Sequence, residues 1–208
     1  MSTKDRDSNT EHLILEAAEK VFLEKGYVAS RTTEIAQIAG VNHAMLHYYF
    51  RTKENLFNKV FDEKLRLLSS SFSIVFEQDM HFLEKIKQAI ETHYDFLAAN
   101  PRLPSFLLRE VIASTERREA FKIILMPKLL NIFRMLKKEI ETEIEKGTII
   151  KISPANLLLN IGALNAASII TSLMLYSNDD EQTDEARNAY NKERKASNVD
   201  FILRSLRP

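Results

Sequence analysis

The sequence contains no cysteine, few glycines and prolines, and no excess of charge of either sign. Without cysteine, the chain has no disulfides, no thiolate chemistry and no cysteine-based metal site. Its 208 residues include only four glycines and five prolines, and Val, Ile and Thr show no sustained alternation. Strands are therefore hard to place, and the composition predicts an all-helical protein with enough chain for a buried core.

The charge balance excludes a strongly basic nucleic-acid-binding protein. Lys and Arg together number 29, and Asp and Glu also number 29. Positive charge is local instead, because Arg31, Arg51 and Lys53 outnumber Glu34 between residues 29 and 53. If this stretch contacts DNA, each subunit releases few counterions. We therefore expect the affinity for DNA to depend only weakly on salt concentration, and two subunits to be needed for useful binding.

The stretch from Arg31 to Lys53 predicts two short helices joined by a tight turn. Gly40 would end the first helix in a left-handed conformation, and Asn42 would cap the second. The apolar positions that would face the core are Ile35, Ile38, Ala39, Leu46 and Phe50. This order is that of a helix-turn-helix, whose second helix enters the DNA major groove. A structural αα-hairpin would share the pattern, so spacing alone leaves both interpretations open.

The side chains predicted to point away from the core favour DNA. Hydroxyl and ammonium donors at the helix ends suit phosphate oxygens; they are Thr32, Thr33, Tyr48, Tyr49 and Lys53. His43 and His47 have the four-residue spacing of two zinc ligands on a helix, but no Glu lies between them and no third ligand is evident. We therefore predict no metal site and no cofactor.

Residues 13–68 resemble the N-terminal domain of TetR-family transcriptional repressors. The matching pieces are Ile-Leu-x-Ala-Ala-x-x-Val-Phe (14–22), Gly-Tyr (26–27), Thr-x-x-Ile-Ala (32–36), Ala-Gly-Val (39–41) and Leu-x-Tyr-Tyr-Phe-x-x-Lys-x-x-Leu (46–56). The resemblance implies a ligand-responsive repressor that binds a palindromic double-stranded DNA operator as a homodimer. The polar N-terminus lacks the apolar core of a signal peptide, so we expect a cytoplasmic protein.

The resemblance also implies roles for individual residues. Thr32, Tyr48 and Lys53 match positions that contact phosphate, and Thr33 matches a position that reaches a base edge in some relatives. Arg31 replaces the usual Ser or Thr, which would leave capping to Ser30. Ala44 replaces a glycine and His47 a tyrosine, so we expect an altered base preference. The predicted DNA-binding residues are Arg31, Thr32, Thr33, Asn42, His43, Ala44, Met45, His47, Tyr48, Tyr49 and Lys53.

We predict three segments. Residues 1–52 form a disordered arm (1–9) and the helix-turn-helix domain, 53–78 a connecting helix, and 79–208 a helical effector-binding and dimerisation domain. Helix signals in the last segment include a cap at Asp79 and a kink or restart at Pro127. The stretch from Ile152 to Asn178 carries no charge and is long enough to span a bilayer. Its scattered Asn, Ser and Thr favour a buried helix that joins the last helix in a two-fold interface, with no membrane.

An apolar small-molecule effector would bind among the helices of 79–176. The candidates are polar residues on apolar faces with apolar walls around them: His93, Tyr94, Phe96, Phe106, Arg109, Phe121, Met126, Asn160 and Asn165. The alternative is a helical small-molecule-binding protein or an enzyme that carries a structural helix-turn-helix. No catalytic arrangement has recognisable spacing, so we predict that the protein is not an enzyme.

Overall fold

The computed structural model describes residues 3–76, 78, 80–176 and 181–208. Within these ranges the chain forms nine helices and no strand, which confirms the all-helical prediction. The helices are α1 (Thr3–Ala29), α2 (Thr32–Ile38), α3 (His43–Phe50), α4 (Lys53–Phe76), α5 (Phe82–Ala99), α6 (Leu103–Ala113), α7 (Thr115–Glu145), α8 (Pro154–Leu175) and α9 (Glu181–Leu206).

The chain divides into two compact units. The N-terminal unit comprises the described residues of Met1–Arg66 together with Ser105–Lys122. The C-terminal unit comprises those of Leu67–Pro104 and Ile123–Pro208. Residues 105–122 pack with the helix-turn-helix segment, although nothing local to that stretch of sequence indicates its partner.

The core of the N-terminal unit contains one apolar face of α1. The buried residues of this face are Ile14, Ala17, Ala18, Val21 and Phe22. Leu13 is 40% exposed because it lies at the edge of this stripe. Aromatic rings complete the core, with centroids 5.0–6.0 Å apart: Phe22, Phe57, Phe61 and Phe106.

Helix α1 differs from the prediction at its start. Residues 3–9 were expected to form a disordered arm, but they belong to the helix, and residues 1 and 2 lie outside the described ranges. No glycine or proline interrupts this stretch, so nothing in the sequence forces the helix to begin later. Near its other end α1 is kinked at Gly26, whose φ of 75° and ψ of 177° are not helical.

Local signals mark several helix positions in the C-terminal unit. Ser153 caps α8, because its hydroxyl accepts a hydrogen bond from the Asn156 N–H at 3.2 Å. Of the kink or restart predicted at Pro127, the restart does not occur, since α7 continues through this residue. Pro127 and Ile123 are both exposed, so water can satisfy the carbonyl that the proline leaves unbonded. The predicted cap Asp79 lies outside the described residues.

Apolar side chains from α4, α5, α7, α8 and α9 form the core of this unit. Helix α8 is long and apolar enough to cross a membrane, a test that core helices of soluble proteins also pass. Its Leu157, Leu158 and Ile161 are buried in the core. The same helix buries Asn165, Ser168 and Ser172, which belong to or adjoin a polar network described below.

Candidate nucleic-acid interface

Helices α2 and α3 pack through the apolar residues that the sequence indicates. Ile35, Ala39, Leu46 and Phe50 are buried, as predicted. Ile38 was also expected to face the core, but it is 47% exposed because α2 ends there and the chain turns away at once. The buried contacts therefore fix α3 against α2 along one face and leave its opposite face uncovered.

The turn between the two helices has the predicted geometry. Gly40 has a φ of +68°, a region that a Cβ makes costly. The Asn42 side chain caps α3 by accepting a hydrogen bond from the Met45 N–H at 2.8 Å. The predicted capping of α2 by Ser30 is wrong, since the buried Ser30 hydroxyl donates to the Gly26 carbonyl at 2.5 Å. Arg31 takes the N-cap position without a side-chain bond.

The uncovered face presents most of the predicted DNA-binding residues. Those of α3 and its cap that are exposed are Asn42, His43, Ala44, Met45, His47 and Tyr48. Tyr49 is half-buried, with its ring centroid 5.3 Å from that of Tyr48. At the start of α2, Arg31 and Thr33 are exposed and Thr32 is half-buried. Thr32 Oγ1 lies 3.1 Å from His43 Nε2, so the beginnings of both helices meet on one surface.

The charge on this surface is positive. Glu34 is the only acidic residue between residues 29 and 53. Its Oε1 accepts a hydrogen bond from Lys25 Nζ at 2.5 Å, which neutralises its charge. The guanidinium carbon of Arg51 lies 5.9 Å from the Tyr48 ring centroid. Arg51 was not among the predicted DNA-binding residues, although its charge and its place directly after α3 are visible in the sequence.

A strained turn joins α3 to α4. Arg51 has a φ of 61° and a ψ of −52°, and the Thr52 N–H donates to the Phe50 carbonyl at 2.6 Å. This is the geometry of a classic γ-turn, which is rare for a residue with a Cβ. Thr52 Oγ1 then accepts a hydrogen bond from the Asn55 N–H at 3.1 Å and caps α4. The turn places Lys53 at the first position of α4, beside the exposed face of α3.

Lys53 lies against Tyr27. Its Nζ is 4.5 Å from the Tyr27 ring centroid and 3.5 Å from the Val28 carbonyl oxygen, to which it donates. Burial lowers the pKa of Lys53, and the nearby positive charge of Arg117 lowers it further. Both effects disfavour the charged ammonium, and a DNA phosphate would offset them.

Behind Tyr27 lies an ion pair, here called the charged centre, formed by Glu110 and Arg117. Arg117 Nη1 donates to Glu110 Oε2 at 2.8 Å, and both side chains are buried. Glu110 Oε1 accepts a hydrogen bond from the Tyr27 backbone N–H at 3.0 Å. The Arg117 guanidinium carbon lies 4.3 Å from the ring centroids of both Tyr27 and Phe57. The charged centre thus holds the chain just after the α1 kink, on which Lys53 also packs.

Gly26 allows this arrangement. Its φ of +75° is in the left-handed region, and a Cβ there would lie 2.7 Å from Arg109 Nε and 2.8 Å from Glu110 Oε1. Glu110 and Arg117 were not predicted from the sequence because Tyr27, which both contact, lies 83 and 90 positions away in the chain. The available signal was a carboxylate one helical turn after the apolar residues Phe106 and Leu107 of α6.

The predicted effector-binding residues lie in different places. Tyr94 lines a cavity in the C-terminal unit, His93 and Asn165 are hydrogen-bonded in its core, and Phe96 is half-buried there. Asn160 and Met126 are exposed. The other three belong to the N-terminal unit: Phe106, Arg109 and Phe121. Arg109 donates to Glu110 and to the Phe22 carbonyl.

A helix held at a glycine turn, with its polar face uncovered and cations beside it, defines the chain as a helix-turn-helix DNA-binding protein. The family model "Bacterial regulatory proteins, tetR family" matches residues 14–60. The chain is 30% identical to the probable HTH-type transcriptional regulator YttP of Bacillus subtilis over 154 residues, which cover 72% of this chain and 70% of that protein. The chain belongs to the TetR family of bacterial transcriptional regulators.

Two further similarities are to regulators of Bacillus subtilis. It is 28% identical over 142 residues to the fatty acid metabolism regulator protein of B. subtilis, covering 67% of this chain and 73% of that protein. The crystal structure of the transcriptional regulator FadR from B. subtilis in complex with stearoyl-CoA has the same fold, with a TM-score of 0.67. Its sequence is 21% identical, and the match covers 94% of this chain and 98% of that one.

Proposed function

We propose that this TetR-family regulator is a dimeric repressor that binds a near-palindromic operator and is released by a small-molecule effector. The observation that carries the proposal is the division of α3 into two faces. Leu46 and Phe50 are buried, whereas His43 is exposed and Tyr48 is 67% exposed. The polar face at the start of such a helix meets base edges, and two copies would enter successive major grooves.

Exposed apolar side chains on the last two helices support a dimer. Phe201 on α9 is 61% exposed, and Leu159, Met174 and Leu175 on α8 are also exposed. Large exposed apolar residues on neighbouring helices are typical of subunit interfaces. A two-fold pairing of α8 and α9 would bury them and set the distance between the two α3 helices.

An effector would act through the C-terminal unit. The stearoyl-CoA complex of FadR is one case of a chain with this fold holding a ligand. In the proposed mechanism the effector favours a dimer geometry that spaces the two α3 helices wrongly for the operator. Effector and DNA would then weaken each other's binding by the same factor. We place this activity in the cytoplasm, where the operator DNA is.

Selection of random duplexes by the purified protein, at moderate salt and with sequencing of the bound pool, tests the proposal. We expect a two-fold symmetric consensus that still binds in excess competitor DNA. A bound effector would prevent enrichment, so the selection is repeated after unfolding and refolding the protein. If neither preparation enriches any duplex sequence, the protein does not bind DNA sequence-specifically. That result would favour a helical small-molecule-binding protein or an enzyme.

Two substitutions test the proposed contacts of α3 and Lys53 with operator DNA. Lys53→Ala should weaken binding to all sequences similarly and reduce the salt slope by about 1. His43→Ala should relax base preference instead, because in the proposed docking its imidazole would meet a base edge. Lys59→Ala is the matched control, since Lys59 is exposed on the same helix α4. Unchanged operator binding by both test variants would overturn the docking.

The dimer is tested separately by sedimentation of Phe201→Glu. A buried carboxylate at a two-fold interface has no cationic partner, so we expect this variant to be monomeric. Val28→Glu places the same charge on an exposed apolar residue of the N-terminal unit and should remain dimeric. If the Phe201→Glu protein remains dimeric, Phe201 of α9 does not lie in the dimer interface.

A further inference from the structure

A cavity of about 380 Å³ lies in the C-terminal unit between α5, α8 and α9. Its apolar lining comes from Ala98, Ile169 and Leu173, together with the ring of Tyr94. Burial raises the pKa of Tyr94 to about 12, so its hydroxyl remains a neutral donor, and it bonds Asn191 Oδ1 at 3.2 Å. This volume is at the lower end of the range for small-molecule sites, so the cavity favours a ligand of small volume.

The remainder of the lining is rich in cations. Arg187, Lys192 and Lys195 contribute from α9, and Asp95 contributes one carboxylate. Lys195 Nζ is paired with both Asp95 oxygens, at 2.8 and 3.0 Å, and Arg187 is paired with Asp184. Within the described residues, Lys192 has no carboxylate partner. The cavity therefore has one uncompensated positive charge at its edge.

A second observation also indicates a ligand. Ser172 lines the cavity and is 2% exposed, and its Oγ has no hydrogen-bond partner among the described residues. A buried hydroxyl without a partner costs free energy, and native structures rarely tolerate one without a reason. The oxygen itself is shielded from water, so rotation of the Ser172 side chain toward the cavity would bring the hydroxyl to an acceptor oxygen of a ligand.

We propose that this cavity is a binding site for a small amphipathic monoanion, a carboxylate with an apolar body. The carboxylate would pair with Lys192, and the apolar body would lie against Ile169 and Leu173. This inference rests on the effector part of the proposed function and names the chemical class of the effector. The net positive lining disfavours a cation, and the free Lys192 ammonium gives an anion an advantage over a neutral analogue.

Calorimetric titration of the full-length protein with decanoate, decanol and decylamine tests the proposal without DNA. We expect one decanoate per chain, bound at least tenfold more tightly than decanol or decylamine. Lys192→Glu should weaken decanoate binding by at least tenfold. Lys128→Glu is the control because Lys128 is an exposed lysine of α7 in the same unit. It should leave the affinity unchanged, and thermal melting confirms that both variants fold.

Three results would overturn the site: no decanoate binding, equal binding of decanol, or equal weakening by the two lysine variants. The outcome is independent of operator selection. If an operator is selected and decanoate fails to bind as described, only this inference fails. If decanoate binds as described and neither preparation selects an operator, the proposed repressor function fails and the anion site remains.

Discussion

Both units bury a cluster of polar side chains, but the two clusters differ in their chemistry. The charged centre of the N-terminal unit pairs Glu110 with Arg117. The C-terminal unit instead buries a neutral network: Asn165 Nδ2 donates to the Ile90 carbonyl at 2.9 Å and lies 3.2 Å from His93 Nδ1. Asn198 Nδ2 donates to Asn165 Oδ1 at 3.0 Å and to Ser168 Oγ at 3.1 Å.

This difference determines how the stability of each unit responds to the loss of one partner. Removing one member of a buried ion pair leaves an uncompensated charge, whereas removing an amide leaves neutral groups unpaired. The charged centre holds the Tyr27 backbone, next to Lys53, which we propose contacts DNA. The neutral network joins α5, α8 and α9, the helices that also line the proposed anion site. We therefore expect a larger and more localised effect in the N-terminal unit.

The largest effect is predicted for Glu110→Ala. This change leaves the Tyr27 N–H without its acceptor and leaves the buried Arg117 guanidinium with only the Glu54 carboxylate, 3.8 Å away and partly exposed. The free energy of unfolding should therefore fall by about 3–5 kcal/mol. Urea denaturation followed by circular dichroism measures it. Glu119→Ala removes a carboxylate from an exposed pair on α7 and should change stability by less than about 0.5 kcal/mol. Equal effects of the two variants would show that the charged centre is energetically unimportant.

The neutral network should respond to pH through His93. Burial lowers the pKa of His93 from its ordinary value of 6.5 to about 4. Between these values the unfolded chain binds a proton that the folded chain does not, so the free energy of unfolding decreases as the pH falls. The free energy of unfolding is highest above pH 6.5, and at pH 4 it is lower by about 3 kcal/mol.

Urea titrations of the wild type and His93→Gln between pH 7 and 4 measure this contribution. The variant should show a smaller loss of stability across that range, although its stability at pH 7 is lower. His12→Gln removes an exposed histidine of α1 and should preserve the wild-type pH dependence. If His93→Gln follows the wild-type curve, folding does not lower the pKa of His93, and the buried network does not account for the loss of stability at low pH.

Much of the helix-turn-helix is predictable from the sequence because its signals are local. The Gly40 turn and the Asn42 cap depend on residues within one or two helical turns, and both were found correctly. The charged centre was not predictable in this way, since Tyr27 and Glu110 meet only after α6 packs on α1. His93 and Asn165 stand out as polar residues on apolar faces, but their partner Asn198 becomes evident only from the packing of α9.

A smaller effect is predicted for Asn198→Ala. The change leaves one oxygen acceptor on Asn165 and one on Ser168 without this donor, and the half-buried Arg194 loses the Asn198 Oδ1 acceptor that lies 3.2 Å from its Nη2. The expected cost is about 1–3 kcal/mol in the free energy of unfolding. Asn160→Ala is the matched control, because Asn160 is exposed on the same helix as Asn165. Urea denaturation should show almost no change for the control. A loss as large as that of Glu110→Ala would contradict the proposed ranking of charged over neutral centres.

The smallest effect is predicted for Ser172→Ala, which separates a structural role from a ligand-binding role. The Ser172 hydroxyl has no partner among the described residues, so replacing it with a methyl group breaks no hydrogen bond. The free energy of unfolding should change by less than about 0.5 kcal/mol or increase slightly, because an unpaired buried hydroxyl is itself costly. Decanoate binding should nevertheless weaken, since the ligand oxygen loses a donor. A clear loss of stability in urea denaturation without ligand would instead give Ser172 a structural bond within the protein and remove its support for the anion site.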